Sequence, residues 1–251
     1  MENNASYVLE VMYDGTRFHG SQIQGEIPTV QLAINKTLST LLRREVGTIG
    51  ASRTDEGVHA LQNYYQFALD EAPPENLVYK CNAILPAGLA VKGLYRAAPE
   101  FNPRFDAIRR RYRYRIYLQK NPFLVERAYF YPYHLSIESL RHTAAIISEY
   151  TQFESFAKRG AQNFTFNCTI HQSHWEEHSG ELHYIVEANR FLRGMVRGLV
   201  ATQIRIARKG APADLRQIIE AQDCTKAFFD VPGHGLYLEE ITYPDGRMVK
   251  L

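Results

Sequence analysis

The chain has 251 residues, 45% of them hydrophobic and 22% charged, with a formal net charge of +2. That length supports one large core or two smaller ones, and the composition excludes a disordered or fibrous chain. No apolar run approaches the roughly 18 residues that a membrane helix needs, and "MENNASYVLE" has neither the basic nor the apolar region of a signal peptide. A cytoplasmic protein without membrane contact is therefore expected.

Tyr7–Tyr13 ("YVLEVMY") places Tyr7, Leu9, Val11 and Tyr13 on one face and is predicted as a strand, closed by the turn "DGT" at Asp14–Thr16. "PTVQLAINKTLSTLLRRE" opens with Pro28 and Thr29 and spaces Val30, Ala33, Ile34, Leu38, Leu41 and Leu42 as one face of a helix. A short strand at Gly47–Ser52 leads into "ASRTDEGVHALQ", and the aromatic run Asn63–Leu69 reads as another strand. A helix is predicted from near Pro74, then a strand over Leu89–Arg96.

The rhythm then repeats. Arg111–Tyr117 is a period-two strand with Tyr112, Tyr114 and Ile116 on one face and arginines on the other. Ser136–Tyr150 reads as a helix with the stripe Ile137, Leu140, Ala144 and Ile147, followed by strands near Cys168–Glu176 and Leu182–Ala188. A long helix over Phe191–Ala207, a shorter one over Ala213–Ala221 and a closing strand in "GLYLEEITY" complete the chain. This interleaving predicts an α+β protein with an extended mixed or antiparallel sheet flanked by helices. Its two comparable halves, residues 1–103 and 104–251, break near Pro99–Pro103 and are expected to share that one sheet.

Three cysteines, Cys81, Cys168 and Cys224, are too widely spaced for a disulfide framework or a zinc pattern. They are expected as buried thiols in a reducing compartment. Charge is sorted along the chain. Arg104, Arg109, Arg110, Arg111, Arg113, Arg115 and Lys120 are opposed locally only by Asp106, and residues 190–210 hold six cations and no acid. Arginine in two such clusters points to a polyanion, because the guanidinium fork suits phosphate oxygens. "RRRYRY" adds rings among the cations, the pattern that stacks a base while gripping its phosphate.

Within "SRTDEG", Gly57 permits a tight turn after Asp55, and Thr54 is placed to bond a neighbouring backbone group. A short charged loop of this kind would present Arg53 and Asp55 above the sheet. A loop aspartate is more often a turn residue than a catalyst; the two arginine clusters are what raise its standing.

"GASRTDEGVHALQN" resembles the signature of the TruA family of tRNA pseudouridine synthases. The likeness extends to "YDGTRFHGSQIQ", "PTVQLAINKTL", "NPRFDAIRRRYRYRIY", "NRFLRGMVRGLV" and "PGHGLYL", in the family's order along most of the chain. The resemblance implies the pseudouridine synthase fold, tRNA as partner, a homodimer, and isomerisation of uridine in the anticodon stem–loop. By the same resemblance Asp55 is the nucleophile and Arg53 fills the space left by a flipped nucleotide. Tyr112 stacks on the uracil and is a candidate proton acceptor, Arg197 pairs with Asp55, and Leu236 lines the base pocket. Arg110 and Arg111 join Tyr112 in binding substrate.

In this reaction the N1–sugar bond breaks, the base turns, and C5 bonds to the sugar. Nothing is oxidised and no group is donated, so neither metal nor organic cofactor is expected. The nucleotide must leave its stack, at a cost of a few kcal/mol that an aromatic platform partly returns. The chain departs from the family's usual residues at Ser21 (Trp), Ser52 (Gly) and Glu56 (Ala), the last a second carboxylate beside Asp55. Two other readings stand beside the enzyme: a homologue that grips structured RNA without chemistry, and a phosphate-ester hydrolase built on Asp55. The hydrolase lacks a second acid cluster to supply a metal site.

Overall fold

The computed structural model of the chain describes residues 5–160, 164–209 and 214–251. Its elements in chain order are β1 (Ala5–Tyr13), α1 (Val30–Leu42), β2 (Ile49–Gly50), β3 (His59–Leu69), α2 (Leu77–Ile84), β4 (Leu89–Ala97) and β5 (Arg109–Tyr117). There follow β6 (Tyr129–Phe130), α3 (Ile137–Ile147), β7 (Ile170–His178), β8 (Glu181–Ala188), α4 (Met195–Lys209), α5 (Asp214–Glu220), β9 (Leu236–Thr242) and β10 (Met248–Lys250). They group into two compact units, Met1–Ile108 with Leu238–Leu251, and Arg109–Tyr237. The division is thus not one cut near Pro99–Pro103: the end of the chain rejoins the first unit, where β10 pairs with β4.

The first unit is built on β1, which runs antiparallel between β3 and β4. Paired on both edges, β1 is also covered beyond the alternating face that its pattern suggests: Val8 and even Glu10 on the second face are buried, and only Met12 there is exposed. That carboxylate accepts from the Tyr95 hydroxyl (2.6 Å) and Gln62 Nε2 (3.2 Å) and pairs with Lys92 (3.0 Å). Burial raises its pKa, but the bonds from Tyr95, Lys92 and Gln62 together outweigh it and leave the group below its ordinary value. Helix α1 starts where the Thr29 side chain accepts the Leu32 N–H, as its sequence foretells. Val30, Ile34 and Leu38 of its stripe are buried, whereas Ala33, Leu41 and Leu42 are only partly covered.

The second unit carries β5, β8 and β7 as antiparallel neighbours, with β6 parallel to β5, so the α+β class and a mixed sheet are both observed. Helix α3 packs on β7 and on α4. Between helices and sheet, Gln203 is fully buried and satisfied: its Oε1 accepts from Trp175 Nε1 (2.8 Å) and the Thr143 hydroxyl (3.2 Å), and its Nε2 donates to the Leu199 carbonyl. The unit's core also holds Leu140, Ile147, Phe153, Phe156 and Tyr184, all fully buried.

Several boundaries move for identifiable reasons. β3 begins at His59 rather than Asn63, because pairing with β1 continues to Ala60 opposite Tyr13. The strand expected over Gly47–Ser52 shrinks to β2. Helix α4 starts at Met195 rather than near Phe191, since Gly194 has φ +74°, outside the helical region. Ala213, the expected first residue of α5, lies outside the described residues. β6 and β10 are two and three residues long, too short to show alternation in a sequence. Cys81 and Cys168 are buried, and burial pushes both thiols up to about 11; Cys224, expected to be buried too, is half-exposed.

The Glu10 cluster sets a pH dependence. A carboxyl whose folded pKa lies below its unfolded value stabilises the protein above the unfolded pKa, and that contribution is lost as the pH falls through the folded one. Urea midpoints should therefore show the wild type ahead of Glu10→Gln at pH 7, with the gap closing as the pH drops below 4.5.

Candidate active site

Asp55 sits in the segment between β2 and β3, half-exposed, with Arg53 and Glu56 exposed on either side. The turn closes through the Val58 N–H donating to the Asp55 carbonyl (3.2 Å), and Gly57 takes φ +78°. What fixes the segment lies outside it. The Thr54 N–H donates to Ser21 Oγ (2.8 Å), and the Ser21 N–H donates to the Thr54 carbonyl (3.0 Å). Asn63 Nδ2 donates to the Ser52 carbonyl (3.0 Å) and the Tyr13 hydroxyl (3.1 Å), while its Oδ1 accepts from the N–H groups of Ser52 and Tyr64. The Tyr13 hydroxyl, which accepts from Asn63, also shares a hydrogen bond with Thr54 Oγ1 (2.9 Å). The Thr54 hydroxyl thus bonds across to β1, not to a neighbouring backbone group as the sequence suggests.

Two glycines let the backbones come this close. A Cβ on Gly15 would stand 2.0 Å from the Val58 carbonyl oxygen, and one on Gly20, at φ +87°, would stand 3.1 Å from the Thr54 oxygen. Gly15 N–H also donates to His59 Nδ1 (3.2 Å), which lies 3.3 Å from Asp14.

In the second unit three motifs converge. Tyr114 of β5 is fully buried and donates its hydroxyl to the Pro232 carbonyl (2.9 Å). Burial, only partly offset by Arg197, holds its pKa well above the ordinary value. Arg197 of α4 donates from both Nε (3.0 Å) and Nη2 (2.7 Å) to the Val231 carbonyl. Gly235 is pressed against the Tyr114 ring, which would meet an added Cβ at 2.6 Å. Leu236 itself is buried. Tyr112, 8% exposed, sets its ring edge-on to Phe191 at 5.2 Å. Arg110 lies on the face of Tyr112, is buried, and donates to the Asn189 carbonyl (3.2 Å); Arg111 lies on the opposite face, half-exposed.

A family model described as tRNA pseudouridine synthase matches residues 151–244. The chain is 37% identical over 243 residues to the tRNA pseudouridine synthase A of Parabacteroides distasonis, covering 95% of this chain and 96% of that protein. The same name belongs to relatives in Porphyromonas gingivalis (37% over 250 residues, 96% of this chain and 98% of that protein) and Fervidobacterium nodosum (35% over 241 residues, 94% and 98%). The chain belongs to the tRNA pseudouridine synthase family.

The positions where this pseudouridine synthase departs from the family's usual motif have local explanations. Ser21 supplies the hydroxyl that accepts the Thr54 N–H. Ser52 is not among the residues with positive φ, so no glycine is needed there. Glu56 lies 3.2 Å from His19 Nδ1. The basic clusters carry less unmatched charge than the sequence count suggests, because acids distant in sequence fold against them. Arg109 pairs with Glu187 (3.2 Å), Arg115 with both oxygens of Glu181, and Arg205 with Asp230 (2.6 Å). Among the described residues no group of three or more His, Cys, Asp or Glu side chains is arranged to hold a metal ion, and no helix is long and apolar enough to cross a membrane.

The sequence shows Ser21 only as a departure from the family's motif and Tyr114 only as a residue on a strand face, and it does not single out Asn63. The glycines of "YDGT" and "FHGS" signal a close approach; nothing in "NYYQFAL" marks Asn63 as buried and fully bonded. The glycine contact should dominate. Gly15→Ala should cost about 3 kcal/mol of stability by overpacking, and Ser21→Ala about 1 kcal/mol for the lost bond, both read from urea denaturation.

Proposed function

We propose that this chain converts uridine to pseudouridine in the anticodon stem–loop of tRNA, with Asp55 as the nucleophile. The observation that carries the reading is the Asp55 segment itself. Its Arg-Thr-Asp core is intact in a chain similar over nearly its whole length to proteins named tRNA pseudouridine synthase A. The segment is also held by bonds from β1, from Ser21 and from Asn63. A carboxylate meant for covalent chemistry needs such fixed direction, because a small displacement from the attacking geometry is costly.

In this reading the flipped uridine stacks on Tyr112 while Arg53 occupies the space it left. The C1′–N1 bond breaks with Asp55 engaged, the base turns, and the C1′–C5 bond forms. C5 loses its proton, for which the Tyr112 hydroxyl is the candidate acceptor, and N1 gains one, so the product is an isomer of the substrate. In this reading Arg197 pairs with Asp55 and sets its direction. Leu236 packs against the base, and Arg110 and Arg111 serve the adjoining nucleotides. A homodimer working in the cytoplasm belongs to the same reading; sedimentation of the purified protein tests the dimer.

The alternative, an RNA-gripping homologue without chemistry, gives no reason to retain the Asp55 segment. Incubation with unmodified tRNA transcripts, followed by chemical mapping of pseudouridine, separates the two. Wild type should convert uridine in the anticodon stem–loop. Asp55→Asn should fall at least about a thousandfold while still binding tRNA. Binding without conversion by the wild type would favour the gripping homologue, and equal conversion by both proteins would remove Asp55 from its role.

A further inference from the structure

A row of rings leads away from Tyr114 within the second unit. The Tyr129 ring meets Tyr114 edge-on at 6.4 Å, Tyr131 meets Tyr129 at 5.6 Å, and Tyr133 meets Tyr131 at 5.3 Å. The row begins at the fully buried Tyr114 and ends at Tyr133, which is 54% exposed. Helix α4 runs beside the row with its cations on one side. Arg197, Arg205 and Arg208 fall within about 80° of one another around the helix axis, given 3.6 residues per turn.

Each cation is matched to a partner. Arg197 bonds the Val231 carbonyl; Arg205 pairs with Asp230 and lies over the Phe228 ring at 4.3 Å; Arg208 lies over the Tyr133 ring at 4.8 Å. Among the described residues no carboxylate lies within ion-pair distance of Arg208. Its exposed guanidinium therefore presents N–H groups at the surface beside an aromatic ring. That is the chemistry that takes a nucleobase by stacking and a phosphate by its donors. A purely packed aromatic would not be half-exposed, and Arg208 lies over that exposed ring rather than beside an acid.

We propose that Arg208 on Tyr133, flanked by Arg205 on Phe228, forms a second RNA contact distinct from the residues that handle the target uridine. Along α4, Arg208 lies about 16 Å from Arg197 at 1.5 Å per residue. That span equals roughly five stacked nucleotides at 3.4 Å each, so the contact reaches RNA beyond the modified nucleotide and its neighbours. The proposal rests on RNA being the substrate.

The test measures tRNA affinity as a function of salt in the full chain carrying Asp55→Asn, so that no turnover interferes. Adding Arg208→Ala should weaken binding roughly tenfold and reduce the salt slope by about one. Tyr133→Leu should weaken it several-fold with the slope unchanged, since the charge remains. Arg208→Lys should restore the slope but not the full affinity, and it serves in place of the alanine variant if that one unfolds. Unchanged affinity and slope in both the arginine and the tyrosine variants would overturn the proposal. A change in the sedimentation of RNA-free variants would overturn it too, by making the surface a contact between copies. Failure of the wild type to form pseudouridine would sink the proposed reaction while leaving these binding results readable.

Discussion

At Gly15 there is room for a hydrogen atom and nothing larger: the backbone that follows β1 passes so close to Val58 that a methyl group would stand 2.0 Å from its carbonyl oxygen. That approach and its companion at Gly20 bring the turn after β1, the Gly20–Ser21 segment and the Asp55 segment into a single hydrogen-bonded body. Motifs well separated in the sequence become one device. A half-exposed loop would ordinarily sample many conformations, with each ordered residue costing about 1–2 kcal/mol of backbone entropy. Here the cost is offset by bonds that are buried and almost completely satisfied, which a low-dielectric setting makes both stronger and harder to break.

The second unit solves a similar problem with a ring. Tyr114 is the point at which β5, α4 and the Val231–Leu236 segment meet, and it does three things at once. Its hydroxyl bonds the Pro232 carbonyl, its face excludes a side chain from Gly235, and its ring edge continues into Tyr129. Arg197 then takes the adjacent Val231 carbonyl. A family motif that reads as a string of arginines and tyrosines thus divides by face, with Arg110 alone among the arginines of β5 on the buried face of Tyr112 and Tyr114. Tyr112 and Tyr114 go inward, and Arg115 goes to a bidentate pair with Glu181.

Much of this was legible in the sequence, and the limits have physical causes. Amphipathic helices with a cap announce themselves, as Thr29 and the stripe of α1 do, because the periodicity is local. β1 was read correctly as a strand, yet its position between two neighbours, and hence the burial of Glu10, depends on pairing that no local pattern contains. The Asp55 motif could be found by resemblance, and the Gly57 turn by chemistry. Ser21, Asn63 and Tyr13 could not, because their roles are contacts between segments far apart in the chain. The charge clusters misled in the same way: Glu181, Glu187 and Asp230 neutralise arginines that look unopposed along the sequence.

The central claim is that the carboxylate-bearing segment is held in place by buried polar contacts before any RNA arrives. Residue-resolved amide hydrogen exchange on the RNA-free protein tests it most directly, at the Thr54 N–H that donates to Ser21 Oγ. Exchange at Thr54 as slow as in the body of β3 is the predicted result. Exchange at the rate of an exposed loop amide would contradict it, and with it the idea that this protein prepares Asp55 in advance.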